Sequence, residues 1–326
     1  MADMTALYMG LKLQSPLILG SSTLSKNIEF LKAVENEGAG AVVLKSLFEE
    51  ELLPGEAGYG ESFRPDLYEH IMKDALMVYG TKGYIDKIEN TKRNLKIPVI
   101  ASINCLGGKW WTDFTRNIEK AGADALELNI SYIPFSVKDD PRAVEDMYIN
   151  TVKAVKSKLK IPVSVKISDQ FTSIPYMAQR LKEAGADGLT LFNRYYKMGI
   201  DTNTMMFTPI HTYSQETETY NNIRWVSAVT SQVDIDVCSS TGIHTSSAAI
   251  QHILAGASAF QIVSEVHKGG LRRISSILED IKGWLEMRKK KSVSEIKGLA
   301  SKKNIGEHAG FERNQYMKVA EAKFLR

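Results

Sequence analysis

Short apolar runs alternate with polar-faced helical stretches along most of the chain, and the alternation is punctuated in a regular way. Gly38-Ala39-Gly40-Ala41 leads into Val42-Val43-Leu44-Lys45-Ser46, and Ala121-Gly122-Ala123-Asp124 leads into residues 125–131. Ala184-Gly185-Ala186-Asp187 leads into residues 188–193, and Ala255-Gly256-Ala257-Ser258 into residues 259–264. Each time a helical pattern ends at a glycine, a small turn follows, and an apolar strand begins. A second punctuation alternates with the first. Lys96-Ile97-Pro98-Val99 and Lys160-Ile161-Pro162-Val163 open strands, and Val233-Asp234-Ile235-Asp236-Val237 is a weaker copy. With Pro16 to Ser22, the pattern predicts eight strands, at roughly 16–22, 41–46, 98–104, 125–131, 162–168, 188–193, 234–240 and 259–264. Helical stretches separate them, among them 27–37, 139–159 and 246–254.

The runs are apolar throughout, as parallel strands buried on both faces require. Eight βα units predict an α/β chain closed into a (β/α)8 TIM barrel over residues 1–290. The alternative, an open doubly wound sheet, uses fewer strands and a glycine-rich loop after the first, and the chain has no G-x-G-x-x-G. Residues 47–70 and 194–217 are long, polar and rich in Gly, Tyr, Thr and Met. Both follow strands, so the barrel sets them at its C-terminal face, where active sites form, and they read as lids. Residues 291–326 are a C-terminal extension. A basic run starts at Arg288 and an amphipathic stretch covers Phe311–Phe324, which reads as packed on the barrel, as a contact to a partner subunit, or as a solvated appendage.

Composition narrows the class. Of 326 residues 44% are hydrophobic and 24% charged, enough for a large core. A net charge of +3 gives no ground for a nucleic-acid partner. Cys105 and Cys238 are the two cysteines and form no C-x-x-C pair, which points to a reducing, cytoplasmic setting without a disulfide framework or an iron–sulfur cluster. No metal site is read from the chain. No basic, then apolar leader opens it, and no run of 18 apolar residues would cross a membrane.

The predicted strand ends carry the chemistry. In chain order they present Gly20-Ser21-Ser22, Lys45-Ser46, Asn104-Cys105, Asn129-Ile130-Ser131-Tyr132, Lys166 with Ser168, Asn193, Ser239 to Gly242, and Ser264. Two lysines and three asparagines converge on one face, and a buried lysine requires a partner. One reading is an internal pair of Lys45 or Lys166 with Glu127, which shares a strand face with Asn129. The other is an anionic or electron-rich ligand. Ser240-Thr241-Gly242, ahead of a helix from about Thr245, offers amides and hydroxyls after strand 7, where barrels bind phosphate.

The ordered series P-L-x-x-G-S-S, A-V-V-L-K-S, E-L-N-I-S, P-V-S-V-K, an Asn at the sixth strand end, S-T-G-I and L-A-G-A-x-x-x-Q-I resembles the dihydroorotate dehydrogenase family, nearest its soluble class 1 branch, over roughly residues 6–290. The resemblance implies a barrel holding FMN at its C-terminal face. It places Gly20, Ser21 and Ser22 beside the flavin ring, and Lys45 and Ser46 at flavin and substrate, with Asn104 in the cofactor wall. Asn129 falls at flavin and substrate, Lys166 beside flavin N1 and O2, and Asn193 at substrate. Ser240, Thr241, Gly242 and Ser264 fall at the phosphate, where the family is richer in glycine. A homodimer is the implied assembly; no electron acceptor is legible.

The chain departs from the family at the catalytic loop. Where the family reads N-[LIV]-S-[CS]-P-N, this sequence reads Asn129-Ile130-Ser131-Tyr132-Ile133-Pro134, so Tyr132 stands in place of the Cys or Ser base. The second substrate asparagine is absent, and residues 47–70 hold no clean N-x-x-G. A phenol at neutral pH is a better acid than base. Three readings of the proton-transfer group follow: Tyr132 as acid, Tyr132 as a pocket wall, or Cys105 as a replacement base, with Lys45 in the same catalytic set. The default function is oxidation of dihydroorotate to orotate. The alternatives are a flavin-dependent reductase of another small activated alkene, with Tyr132 as proton donor, and a non-catalytic flavoprotein or electron carrier.

Overall fold

Ahead of the first expected strand, β1 (Ala6–Tyr8) and β2 (Leu11–Leu13) pair as an antiparallel hairpin that the sequence pattern does not announce. Three-residue strands are too short to show a period. Met9 and Gly10 form its two-residue turn, both at positive φ (52° and 76°), the geometry that suits a tight hairpin. The computed structural model describes residues 2–48, 81–104, 109–301 and 303–304.

The eight expected strands are all present and close a parallel ring. Its order is β3 (Leu17–Leu19), β4 (Ala41–Val43), β6 (Val99–Asn104), β7 (Ala125–Asn129), β8 (Val163–Ile167), β9 (Gly188–Leu191), β12 (Asp236–Ser239) and β13 (Ala259–Ile262), and β13 pairs back onto β3. A two-residue strand, β5 (Leu47–Phe48), adds to the end of β6. The surrounding helices are α1 (Ile28–Asn36), α2 (Thr81–Asn94), α3 (Lys109–Lys120), α4 (Pro141–Lys156), α5 (Ile174–Glu183), α6 (Glu218–Thr230), α7 (Ser246–Leu254), α8 (Ser264–Gly269) and α9 (Arg272–Met287). This is the predicted (β/α)8 barrel. Among the described residues no helix is long and apolar enough to cross a membrane.

The two punctuation patterns of the sequence are physical partners. Gly38, Gly122, Gly185 and Gly256 all take positive φ just past a helix end, where a side chain is strained. The aspartates that follow two of them reach back to the preceding strand. Asp124 Oδ2 accepts from the Val99 amide at 2.7 Å and from Lys92 Nζ at 2.7 Å. Asp187 Oδ2 accepts from the Val163 amide at 2.8 Å and pairs with Lys156. The first amide donor after Pro98 and after Pro162, at the strand start, is thereby satisfied.

Strand residues alternate between two cores. Leu17, Leu19, Val42, Leu126, Leu128, Val163, Val165, Leu189, Leu191, Phe260 and Ile262 face the helices. Ile18, Ala41, Val43, Ile100, Ala125, Cys238 and Ala259 face inward, where they meet Tyr8, Met9 and Leu13 of the hairpin. Small inward residues leave the room that Tyr8 and Met9 fill. A Cβ at Gly188 would lie 2.7 Å from Met9 Cγ and 3.1 Å from Tyr8 Oη. The Met9 amide also donates to Asp236 Oδ2 at 2.8 Å.

Residues 194–217, expected as a lid, contain a second antiparallel hairpin, β10 (Lys197–Asp201) with β11 (Met206–Ile210). The other expected lid, residues 47–70, lies outside the described residues from 49 onward. The described part of the C-terminal extension folds back on the barrel. Ser292 bridges Asp3, the Gly298 amide donates to the Ile253 carbonyl, and Val293 and Ile296 are buried in the outer core. The amphipathic stretch Phe311–Phe324 is outside the described residues.

Gly188→Ala is expected to lower unfolding free energy by about 1–3 kcal/mol, the usual cost of overpacking. Met9→Ala opens a cavity on its own but relieves that clash. In denaturant unfolding the double variant should therefore be less destabilised than the two singles added, and strict additivity would show that the hairpin does not plug the barrel.

Candidate active site

The inner face of the barrel changes character from bottom to top. Below, it is apolar; towards the C-terminal ends of β7, β8, β9 and β13 it presents Glu127, Lys166, Thr190 and Gln261, all buried. The sequence left two partners open for Glu127. The structure gives it Lys166, with Nζ 3.7 Å from Oε1. Lys166 Nζ also donates to Gln261 Oε1 at 3.2 Å, while Gln261 Nε2 and Thr190 Oγ1 donate to Glu127 Oε2 at 2.7 and 2.9 Å. Lys45 lies apart, its Nζ 3.4 Å from the Ser46 carbonyl and 5.1 Å from the Phe48 ring centroid.

One wall of the mouth is built from serines. The Ser46 amide donates to Ser21 Oγ at 2.9 Å, and Ser46 Oγ lies 2.8 Å from Ser102 Oγ. Ser25 Oγ accepts from the Lys45 amide at 2.7 Å, fixing the chain beside Lys45. Gly20 lies where a Cβ would press on Val263 and Gln261 (2.9 and 3.1 Å). Asn104 is buried at the end of β6. Cys105, the replacement-base candidate, lies outside the described residues.

The opposite wall is the end of β7 and β8. Asn129 is in register with Lys166. Asn193 donates from Nδ2 to Ser131 Oγ at 3.2 Å. The structure adds Tyr195, which the sequence reading missed; its hydroxyl donates to the Tyr132 carbonyl at 3.4 Å, and burial pushes its phenol pKa up. Tyr132 itself sits at the mouth, but its hydroxyl donates outward to Asp139 Oδ1 at 3.2 Å and its ring packs on the outer core. Burial, then the hydrogen bond and charge of Asp139, raise its pKa. It is a protonated phenol hydrogen-bonded to a carboxylate.

A third sector follows β12. Asn222 Nδ2, on α6, donates to the carbonyls of Ser240 (2.6 Å) and Thr241 (3.1 Å). Among the described residues no acceptor takes the amides of Thr241 and Gly242. Thr241 and Gly242 take φ of 74° and 80°, unusual for a β-branched residue and the kind of strain that clusters at functional sites. Ser264 Oγ accepts from the Ser214 amide at 3.0 Å, and Ser214 Oγ lies 2.8 Å from His244 Nε2, whose Nδ1 lies 3.0 Å from Glu265 Oε2. This chain of contacts ties the segment after the exposed hairpin to the barrel rim. Beneath it His252, fully buried, lies 2.8 Å from both Ser239 Oγ and Thr219 Oγ1. No motif marks Asn222, His244 or His252, because helices contribute or anchor them singly; Gln261 does stand inside the L-A-G-A-x-x-x-Q-I stretch.

Unsatisfied groups test the fit to FMN. Ser22 Oγ and Asn129 Oδ1 are buried without hydrogen-bond partners, which is costly unless a ligand completes them. They lie on the two walls that flank the buried ammonium, and the Thr241–Gly242 amides lie on the adjoining sector. That set of donors and one acceptor suits a flavin ring carrying a phosphate. Among the described residues no cluster of His, Cys, Asp or Glu has the form of a metal site.

The sequence profile of the family described as dihydroorotate dehydrogenase matches residues 4–285. The catalytic subunit of dihydroorotate dehydrogenase B (NAD(+)) from Thermoplasma acidophilum is 30% identical over 92% of this chain and 99% of its own length. The protein of the same name from Pyrococcus abyssi is 32% identical, covering 90% and 97%. A putative dihydroorotate dehydrogenase A (fumarate) from Aeropyrum pernix is 29% identical, covering 89% and 95%.

Burial lowers the His252 pKa to about 3. The unfolded chain therefore takes up a proton near pH 6.5 that the folded protein refuses until about pH 3, and stability falls as pH drops through that window. Between pH 6.5 and 5 this costs about 2 kcal/mol. Denaturant midpoints for wild type and His252→Asn at both pH values check it: the extra acid loss should vanish in the variant.

Proposed function

The chain belongs to the dihydroorotate dehydrogenase family, and on that premise we propose that it is an FMN-dependent enzyme that oxidises the CH–CH bond of dihydroorotate to orotate, a step of pyrimidine biosynthesis, in the cytoplasm. The observation that carries this reading is Lys166, a buried ammonium in the floor of the mouth beside the unpartnered amide oxygen of Asn129. Bound FMN supplies the hydride acceptor. The chain supplies the rest. Lys166 would hold a positive charge beside the flavin pyrimidine ring, where it would favour the reduced anion. Gly20, Ser21, Ser22, Ser46 and Asn104 line the ring, and Ser240, Thr241, Gly242 and Ser264 hold the phosphate. Asn129 and Asn193 orient the substrate, with Lys45 as the cation for its carboxylate.

Proton transfer falls to Tyr132. Its hydrogen bond to Asp139 supplies a relay: in oxidation Tyr132 takes the substrate proton as its own proton passes to the carboxylate, and the reverse shift returns a proton in the direction that forms dihydroorotate. FMN-loaded protein mixed anaerobically with dihydroorotate should lose its flavin colour. Tyr132→Phe should keep the flavin and slow that half-reaction by about 10²–10⁴. A loaded wild-type protein that dihydroorotate never bleaches would leave a non-catalytic flavoprotein. A Tyr132→Phe rate equal to wild type would make Tyr132 a pocket wall.

The second hairpin supports the homodimer. Met198, Ile200 and Phe207 share one face of the β10–β11 hairpin and expose apolar surface there, more than a solvated two-stranded ribbon tolerates. A second copy of the chain covers this face. Sedimentation at micromolar concentration should give twice the mass of one chain, and Ile200→Asp with Phe207→Asp should halve it. A wild-type monomer would end the assignment.

A further inference from the structure

We propose that Glu127 sets the reduction potential of the bound flavin by offsetting the charge of Lys166; the inference rests on the FMN reading above and goes beyond it. Glu127 is 1% exposed on the inner face of β7, two residues below Asn129. Its two oxygens are used differently. Oε2 accepts from Thr190 Oγ1 and Gln261 Nε2. Oε1 is buried with no hydrogen-bond partner and faces Lys166 Nζ across 3.7 Å, an ion-pair distance rather than a hydrogen bond.

Gln261 divides the labour. One end of its amide holds the carboxylate and the other accepts from the ammonium at 3.2 Å. The position of Lys166 is thus set by Gln261, and what Glu127 adds is negative charge directly behind the cation. A buried ion pair is weak ground for stability, since hydrophobic residues of the same volume serve as well. Its retention in the floor of a redox site points to electrostatics. Among the described residues, the groups packed beneath are a phenol and a thiol, not cations. Burial first, and the nearby charge of Glu127, keep the Tyr8 phenol and the Cys238 thiol neutral. A flavin above Lys166 therefore meets a cation whose field is partly cancelled, and its reduced, anionic form is held less tightly than a lone lysine would hold it.

Glu127→Gln tests this cleanly, because a glutamine oxygen still accepts from Thr190 and Gln261 while the charge is gone. Two readouts are independent of turnover. The first is the midpoint potential of the bound flavin. The second is the affinity for sulfite, which forms a bond from its sulfur lone pair to flavin N5 and delivers the electron pair to N1–C2=O, so its binding reports positive charge there. In Glu127→Gln the sulfite dissociation constant should fall at least tenfold and the potential should rise by about 30 mV, the two-electron equivalent of that factor. Lys166→Met should move both in the opposite direction. The double variant Glu127→Gln/Lys166→Met leaves no buried charge, so it stays foldable if the single does not. It should lie closer to wild type than to Lys166→Met, and Glu127→Asp, which keeps the charge, should stay within about threefold of wild type. Sulfite affinity and potential unchanged in Glu127→Gln, or a double variant identical to Lys166→Met, would overturn the proposal while the flavin reading stands. A wild-type protein that binds no FMN would overturn both.

Discussion

The interior of an eight-stranded barrel is just wide enough for side chains, and every level of it has to be filled before the level above can be placed. Here the filling starts from outside the barrel strands. The hairpin of β1 and β2 inserts Tyr8 and Met9 against inward residues that have been kept small at Ala41, Ala125, Gly188 and Ala259. On that plug rests a layer of Glu127, Lys166, Thr190 and Gln261, and on that layer rests the mouth. The chemistry at the top is supported by packing at the bottom.

The middle layer is polar where an apolar layer would be more stable, and its cost is contained by near-complete hydrogen bonding. Gln261 uses both ends of its amide, Thr190 its hydroxyl, and Glu127 one of its two oxygens. Among the described residues, the buried side-chain atoms left unsatisfied, apart from Tyr8 Oη, lie beside or above the ammonium: Glu127 Oε1, Asn129 Oδ1 and Ser22 Oγ. Around them the backbone is held by groups that have no part in the reaction. Asn222 takes the carbonyls of Ser240 and Thr241, and Ser25 takes the Lys45 amide. Electrostatic stabilisation is strongest where the donors are held in place beforehand, as these are.

What the sequence disclosed, it disclosed through repetition and strand position. Eight strands were legible because four glycine turns alternate with the K-I-P-V starts, and the strand ends followed from them. The two hairpins were not, since β1 and β2 are three residues each and β10 and β11 sit within what reads as polar loop. Side-chain direction was equally hidden. Tyr132 was placed correctly at the loop after β7, yet nothing in N-I-S-Y-I-P indicates that the hydroxyl reaches Asp139. The pairing of Glu127 with a lysine was foreseeable from its i, i+2 relation to Asn129, but the choice of Lys166 over Lys45 depends on barrel register. Asn222 and His252 were beyond reach, each a single polar residue on a helix whose partner lies on another element.

The aspartates after the glycine turns bear on how such a chain reaches its fold at all. Asp124 fastens to the amide of Val99 and Asp187 to that of Val163, contacts only 25 and 24 residues apart. Each bond cinches one strand, its helix and the next turn into a loop small enough to close at modest entropic expense. The barrel can therefore condense as a series of local clasps, and local contacts favour fast folding. Joining β13 to β3, the last barrel strand to the first, then becomes the late act of zipping up two ready-made edges.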